Sequence, residues 1–233
     1  MERFSDSQQL TSFAKKLSLP RGRFALCGLR ASALSLFTSA CVKKSTNSTH
    51  LFLFSDKQRS VYFYNDLELI YGQNDLPQEE KSIVFYPASY THQSDAASVE
   101  NANVVLRNMA LQKLMSGRAG IVVSYPQALC EKVMSSQKLG SKIIQIKKGD
   151  ELNLDDFIEQ LDDYGFERVH QVCDAGQFSV RGGIIDVYSF ASQRPFRIEL
   201  FGDEVDSIRT FDIATQLSVE QKKSVEILAA NHE

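Results

Sequence analysis

The 233-residue sequence contains no tryptophan and only four cysteines, four histidines and five prolines. The cysteines and histidines lie far apart from one another, at Cys27, Cys41, Cys130 and Cys173 and at His50, His92, His170 and His232. Zinc sites and disulfide frameworks need such residues in close groups, for example a C-x-x-C pair. The sequence therefore predicts no metal site and no cofactor, and cysteines that act as small buried side chains in a reducing compartment.

Long apolar runs and a strong charge excess are also missing. No stretch approaches the roughly 18 apolar residues that a membrane span needs, and the first seven residues do not resemble the apolar part of a signal peptide. Lys and Arg number 26 against 29 Asp and Glu, which gives a net charge of −3. Dedicated nucleic-acid-binding domains usually carry a basic excess. We therefore expect a cytoplasmic protein without membrane contact, although the total charge does not exclude a local basic patch.

The distribution of apolar residues changes near residue 140. Before that point, four continuous apolar runs alternate with helical patterns, at 24–27, 51–54, 83–86 and 120–124. Such strands are typical of a parallel sheet with helices on both faces. After that point, one amphipathic helix following Asn153 precedes several short alternating strands. The predicted fold is an α/β domain over residues 1–140 and a smaller α+β domain with antiparallel strands over residues 141–233.

The first strand-to-helix junction bears on nucleotide binding. A P-loop has the pattern G-x-x-x-x-G-K-[ST], in which the lysine reaches the β- and γ-phosphates. This chain begins the pattern at Gly28, but Ala33 and Leu34 occupy the positions of the second glycine and the lysine. Arg30 lies too early in the loop to replace that lysine. The sequence thus favours a domain without ATPase activity.

The most informative stretch runs from Gly176 to Arg209. Phe178 and Val180 alternate with polar residues, and Gly182-Gly183 then interrupts the pattern. Two glycines within a strand pattern indicate a β-bulge or a close approach of two backbones. A polar segment then turns the chain back into a strand over 196–201. This stretch predicts consecutive antiparallel strands.

The strand at 196–201 has two unlike faces. Ile198 and Leu200 point to one side, while Arg197, Glu199 and Phe201 point to the other. An aromatic ring among charges on an outer face is typical of an anchor for a protein partner. In the alternative interpretation, Phe201 tucks under a loop and Arg197 pairs with Glu199 on the surface. The pattern does not decide between the two.

The amino-acid sequence of this region resembles that of one protein family. The segments 178–186 (FSVRGGIID) and 195–212 (PFRIELFGDEVDSIRTFD) resemble the UvrA-binding domain shared by UvrB and bacterial transcription-repair coupling factor, and resemble the coupling factor more. The family usually has Phe-Pro where this chain has Tyr188-Ser189, which affects the local turn. The resemblance is strong over 165–215 and mainly topological before residue 140.

The resemblance implies a function and a binding surface. It implies that the chain is an N-terminal piece of a coupling factor, with a RecA/helicase-like first domain that has lost its nucleotide motif and a second domain that recruits UvrA for transcription-coupled nucleotide excision repair. The family's UvrA contacts correspond to Arg181, Arg197 and Phe201, with Glu199 as a neighbour. For Arg181, bracing of the two glycines is the structural alternative. The full-length family member is expected to be an ATP-dependent DNA translocase that also binds RNA polymerase and double-stranded DNA.

Two other functions remain open at this point. One is a UvrB-like or helicase-type ATPase, which the absent lysine disfavours. The other is a DNA-binding module, in which Tyr86 and Tyr90 would stack on bases. UvrB carries a long tyrosine-rich hairpin that clamps lesion DNA, whereas here the segment 86–92 runs almost directly into 93–100. The tyrosines are therefore more simply interpreted as loop packing.

We predict that the chain neither binds nor hydrolyses ATP, because the cation that would hold the β- and γ-phosphates is replaced by Leu34. Calorimetric titration with Mg-ATP at millimolar concentration, together with a phosphate-release assay, tests this. A protein with an intact P-loop serves as the positive control. Stoichiometric binding that depends on Mg²⁺ would contradict the prediction.

Overall fold

The computed structural model describes residues 8–17, 22–44, 48–89, 97–133, 135, 140 and 142–228. The protein is a mixed α/β chain with parallel and antiparallel sheets. The chain divides into two units, one of residues 1–87 with 113–130 and one of residues 88–112 with 131–233. This grouping differs from the division at residue 140, because the segment 88–112 belongs to the second unit. The second unit is consequently the larger one.

The described helices and strands follow one another in this order along the chain. They are α1 (Gln8–Leu17), α2 (Ala33–Lys44), β1 (His50–Leu53), α3 (Lys57–Tyr71), β2 (Ile83–Tyr86), α4 (Ala97–Met115), β3 (Ile121–Ser124), α5 (Pro126–Cys130), β4 (Ile143–Lys147), α6 (Leu154–Asp163), β5 (Glu167–Arg168), β6 (Gln177–Arg181), β7 (Ile184–Val187), β8 (Phe196–Phe201), β9 (Glu204–Phe211), β10 (Ser218–Lys222) and β11 (Ser224–Leu228). Within this described part, no helix is long and apolar enough to cross a membrane.

The first unit contains a parallel sheet of three strands in the order β1-β3-β2. Phe63 and Leu67 of α3 are buried against Ile83, Ile121 and Val123 of this sheet. Three of the four predicted strands are therefore confirmed. Helices do not cover both faces everywhere in the described residues, since Leu51 and Leu53 of the edge strand β1 are more than half exposed.

The predicted strand at 24–27 is wrong. These residues lie outside helices and strands, and Phe24 and Leu26 are exposed. The Phe24 ring packs edge-on against Phe13 of α1, with ring centroids 5.8 Å apart. This apolar run thus packs against a helix and does not pair with the sheet. The expectation of buried cysteines is also wrong for Cys27, Cys130 and Cys173, which are exposed because they lie in loops or at a helix end.

The second unit is built on a six-stranded sheet in the order β10-β9-β8-β7-β6-β5, with a separate pair of strands β4 and β11. All neighbours in the six-stranded sheet are antiparallel except β5 and β6. Helix α6 buries Phe157 and Leu161 against Phe178, Ile185 and Ile198 of the sheet. The predicted antiparallel strands are therefore confirmed.

Local sequence determines where α6 begins. Asn153 precedes the helix in extended backbone conformation, and its Oδ1 accepts hydrogen bonds from the backbone N–H groups of Asp155 and Asp156 at 3.0 and 3.1 Å. This arrangement is an N-cap, which satisfies donors that the first turn leaves free. The two aspartates also lie at the positive end of the helix dipole. The prediction of a helix capped by Asn153 is confirmed.

The two glycines of the central stretch form a turn as well as a close contact. Arg181 pairs with Ile184, so Gly182 and Gly183 are the two-residue turn of the β6–β7 hairpin. Gly182 has a φ of 62°, a backbone conformation that residues with a side chain rarely adopt. A Cβ on Gly183 would lie 2.9 Å from the Leu200 carbonyl oxygen. The close approach is confirmed, whereas the register shift lies between β8 and β9, where β9 has one extra residue, Asp206, opposite the step from Glu199 to Leu200.

Segment 88–112 joins the second unit through α4. Val105 and Met109 are buried with Ala191 and with Leu228 of β11. Asn108, also buried, donates a hydrogen bond from Nδ2 to the Phe190 carbonyl oxygen at 3.1 Å. The sequence pattern of the helix shows that it has an apolar face but not which unit that face covers.

We predict that Gly176→Ala destabilises the second unit much more than Gly149→Ala. Both glycines have a φ of 88°, where an alanine costs about 1 kcal/mol. A Cβ at Gly176 would also lie 2.1 Å from the Phe190 ring, whereas nothing lies within 4 Å of one at Gly149. The collision should add about 1–3 kcal/mol, as overpacked cores do. Urea unfolding of both variants measures the difference, and equal losses would contradict the collision.

Candidate functional site

The predicted contact residues lie on the face of the six-stranded sheet that is opposite to the core. On this outer face, Asp186 of β7 lies directly between Ser179 of β6 and Arg197 of β8. Arg197 in turn lies beside Arg209 of β9. Paired residues in a sheet project to the same side, so these side chains share one surface. The core side chains of the same strands, such as Ile185 and Ile198, alternate with them.

A buried carboxylate joins two of the predicted residues. The Asp186 side chain is only 1% exposed, and Arg181 Nη2 donates to its Oδ2 at 2.6 Å. Arg197 donates from Nε to Oδ1 at 2.6 Å and from Nη2 to Oδ2 at 2.9 Å. Both carboxylate oxygens are therefore bound by guanidinium groups. Charge-assisted bonds of this kind are short and about twice as strong as neutral ones.

Most of the Arg197 side chain is buried in contacts within the second unit. Its side chain is 15% exposed, and its guanidinium carbon lies 4.4 Å above the ring of the fully buried Phe211. Gln216 accepts two further hydrogen bonds, at its carbonyl and side-chain oxygens, at 3.4 and 3.3 Å. The hydrogen bonds to Asp186 raise the pKa of Arg197 above its ordinary value. The position of Arg197 on the outer face is as predicted, but most of its surface is covered.

Arg181 is held at one end and exposed at the other. Besides Asp186, its Nη1 donates to the His170 carbonyl oxygen at 3.3 Å and to Ser179 Oγ at 3.4 Å. The side chain nevertheless remains 47% exposed. Its alternative role, bracing of the two glycines, does not match these bonds, because they lead to Asp186, His170 and Ser179. Arg181 is thus an exposed cation whose orientation is set by hydrogen bonds to Asp186, His170 and Ser179.

Glu199 belongs to a second ion pair on the same face. Its Oε1 accepts a hydrogen bond from Arg209 Nη2, and its Oε2 accepts one from Ser207 Oγ at 2.8 Å. The side chain is 28% exposed. The surface pair of the alternative interpretation is therefore wrong in its partners, since Arg197 binds Asp186 and Glu199 binds Arg209.

Phe201 lies at the tip of the β8–β9 hairpin and is 85% exposed. It pairs with Glu204 across a two-residue turn in which Gly202 has a φ of 63°. The interpretation that the ring tucks under a loop is wrong. Along the strand, Phe201 is about 13 Å from Arg197, so the structure places the ring beside the arginine cluster and not within it. A largely exposed phenyl ring at a hairpin tip is a typical protein anchor.

Sequence reasoning missed two residues of this surface, Asp186 and Arg209. The signal for Asp186 was present, because a carboxylate in the middle of the apolar run 184–187 must be paired if it is buried. Arg209 gave a weaker signal, because only the register between β8 and β9 brings it to Glu199. With these two, the ion pairs of the outer face comprise three arginines and two carboxylates.

At the P-loop positions of the lysine and the serine or threonine, Leu34 and Ser35 make contacts within the first unit. Leu34 packs against the apolar core of the first unit, where a P-loop would present its lysine. Ser35, in the place of the P-loop serine or threonine, is buried and donates to Asp66 Oδ2 at 2.8 Å. Of the two tyrosines considered for base stacking, Tyr86 is buried, and Tyr90 lies outside the described residues, as does the segment 90–96 compared with the UvrB hairpin.

Comparison with known proteins finds a family that resembles most of the second unit. The family described as UvrB interaction domain matches residues 144–232, which include Asp186 and all four predicted contact residues. This segment is therefore similar to the UvrB interaction domain family. It is also 33% identical over 202 residues to the transcription-repair-coupling factor of Bacillus subtilis (strain 168).

Two further relatives agree with this assignment. The transcription-repair-coupling factors of Haemophilus influenzae (strain Rd) and Escherichia coli (strain K12) are 33% and 26% identical over 151 and 176 residues. The three matches cover 87%, 65% and 76% of this chain, but only 16%, 13% and 15% of the relatives. The chain is thus similar to a small part of these proteins.

We predict that Arg197→Ala lowers the free energy of unfolding of the second unit by about 2–3 kcal/mol, because it leaves the buried Asp186 with one cation instead of two. Arg168→Ala is the matched control, since Arg168 is exposed on the same sheet and should change stability by less than about 0.5 kcal/mol. Urea unfolding measures both variants. If Arg197→Ala is as stable as the control, Arg197 has no structural role.

Proposed function

We propose that this chain is the UvrA-recruiting region of a transcription-repair coupling factor and acts in transcription-coupled nucleotide excision repair as a non-catalytic adaptor. The match of residues 144–232 to the UvrB interaction domain and the homology to transcription-repair-coupling factors support this proposal. The observation that carries it is the outer face of the sheet, where an exposed phenyl ring lies beside a fixed arginine cluster.

The four predicted residues have different roles in this proposal. Phe201 fills an apolar pocket on UvrA, since it is exposed at a hairpin tip and buries little of its surface in the free protein. Arg181 forms charge-assisted hydrogen bonds with a UvrA carboxylate, for which its exposed guanidinium is suited. Arg197 contributes its remaining exposed surface and holds Asp186 in place. Glu199 keeps Arg209 on the same face and balances its charge.

The first unit has a supporting role in the proposal. Its parallel sheet and flanking helices are compatible with a RecA/helicase-like domain that has lost its nucleotide motif, and the partly buried Leu34 and the buried Ser35 agree with that loss. The boundary between a degenerate domain over 1–140 and a UvrA-binding domain over 141–233 belongs to the same proposal. The segment 88–112 lies on the first-domain side of this boundary, although it belongs to the second unit.

The complete protein is proposed to do more than this chain. Its relatives are named transcription-repair-coupling factors and are several times longer. We therefore assign ATP-dependent translocation, binding of RNA polymerase and binding of double-stranded DNA to the whole protein, and a cytoplasmic location to all of it. The adaptor described here would deliver UvrA to that machine.

We predict that Phe201→Ala weakens the complex with UvrA about thirtyfold, the effect of losing a hot-spot anchor of roughly 2 kcal/mol. The melting temperature should hardly change, because the ring is 85% exposed in the free protein. Tyr62→Ala is the matched control, since Tyr62 is a 65% exposed aromatic residue on α3 of the other unit. Biolayer interferometry with immobilised UvrA and thermal melting of the same samples measure both quantities.

The possible outcomes separate the functions. Wild-type binding that Phe201→Ala weakens and Tyr62→Ala leaves unchanged supports the adaptor. If the wild-type chain does not bind UvrA, the proposed function is wrong. Salt-dependent binding of the chain to duplex DNA in a gel shift, without UvrA binding, would instead favour the DNA-binding module.

A further inference from the structure

We infer that Asp186 is a positioning residue of the proposed UvrA-binding surface: its buried carboxylate orients the guanidinium group of Arg181 towards the partner, and Arg197 anchors that carboxylate in the sheet. The inference rests on the proposed function. It assigns a role to a residue that makes no contact with the partner itself, because its side chain is 1% exposed.

The geometry distinguishes the two arginines. Arg197 donates two bonds to Asp186, stacks on Phe211 and binds Gln216, so it is fixed on several sides. Arg181 donates one bond to the same carboxylate and leaves 47% of its side chain exposed. One arginine therefore holds the carboxylate, and the carboxylate holds the other arginine.

The arrangement affects binding through preorganisation. A free arginine side chain samples many rotamers and loses this freedom when a partner immobilises it. The contacts of Arg181 with Asp186, Ser179 and the His170 carbonyl remove much of that freedom before UvrA arrives. The bound carboxylate also offsets one of the two positive charges, which limits repulsion between neighbouring guanidinium groups.

A role in stability alone explains this cluster less well. Apolar residues of similar size often stabilise a fold as well as a buried ion pair does. The cluster lies on the outer face of the sheet, beside Phe201, while the core face is filled by apolar residues such as Ile185 and Ile198. A carboxylate shared between an anchored and an exposed arginine fits the requirements of a binding surface.

A double-mutant cycle tests the inference with the 233-residue chain and UvrA. Asp186→Asn should weaken UvrA binding about tenfold in the wild-type background, within the range of coupling found inside one network. In the Arg181→Ala background, the same change should weaken binding less than about twofold, because its effect passes through Arg181. Asp206→Asn, at an exposed position of β9, is the matched control for the lost charge and should leave binding unchanged.

A measurement on the wild-type protein covers the case in which Asp186→Asn does not fold. In arginine side-chain NMR spectra, assigned with Arg181→Lys, a guanidinium group held by Asp186 should give separate signals for its two Nη atoms. Free rotation would average them. Separate signals support the inference, and averaged signals overturn it.

The outcomes distinguish this inference from the proposed function. Absence of wild-type binding to UvrA would overturn the proposed function. Wild-type binding with an equal tenfold loss from Asp186→Asn in both backgrounds would overturn the positioning role only, since the loss would then not pass through Arg181. Wild-type binding that Asp186→Asn leaves unchanged would overturn it as well.

Discussion

The outer face of the second unit depends on one buried carboxylate. Asp186 lies in the middle of a strand, has almost no contact with solvent and is bound by two guanidinium groups from neighbouring strands. Without those cations its burial would be strongly unfavourable. The carboxylate thus ties β6, β7 and β8 together on the side away from the core. The charged surface and the hydrophobic core are therefore built by alternate residues of the same strands.

Much of this fold follows from patterns that are local in sequence. The strands of the first sheet are short apolar runs, and Asn153 marks the start of α6 by a mechanism that involves only its own next three residues. The prediction of a strand at 24–27 failed because an apolar run can pack against any apolar neighbour. Here the neighbour of Phe24 is the ring of Phe13. Local patterns predict whether a segment forms a helix or a strand more reliably than they predict which other segment it packs against.

The site shows the same limit. The period of two along β8 correctly placed Arg197, Glu199 and Phe201 on one face. It could not reveal that Arg197 is mostly covered, because Phe211 and Gln216 reach it from β9 and the following loop. Ion-pair partners likewise follow from register across strands, which a single sequence does not specify. Exposure and pairing were therefore the properties that only the structure supplied.

The packing of α4 has a consequence for how the protein is made. Asn108 binds the carbonyl oxygen of a residue 82 positions later, and the helix is buried with Leu228 near the end of the described chain. Closing such long loops has an entropic cost that contacts must offset. At a synthesis rate of about 5–20 residues per second, Phe190 is made on the order of 4–16 s after Asn108, and Leu228 on the order of 6–24 s after it. During that interval the apolar face of α4 lacks the residues that later bury it.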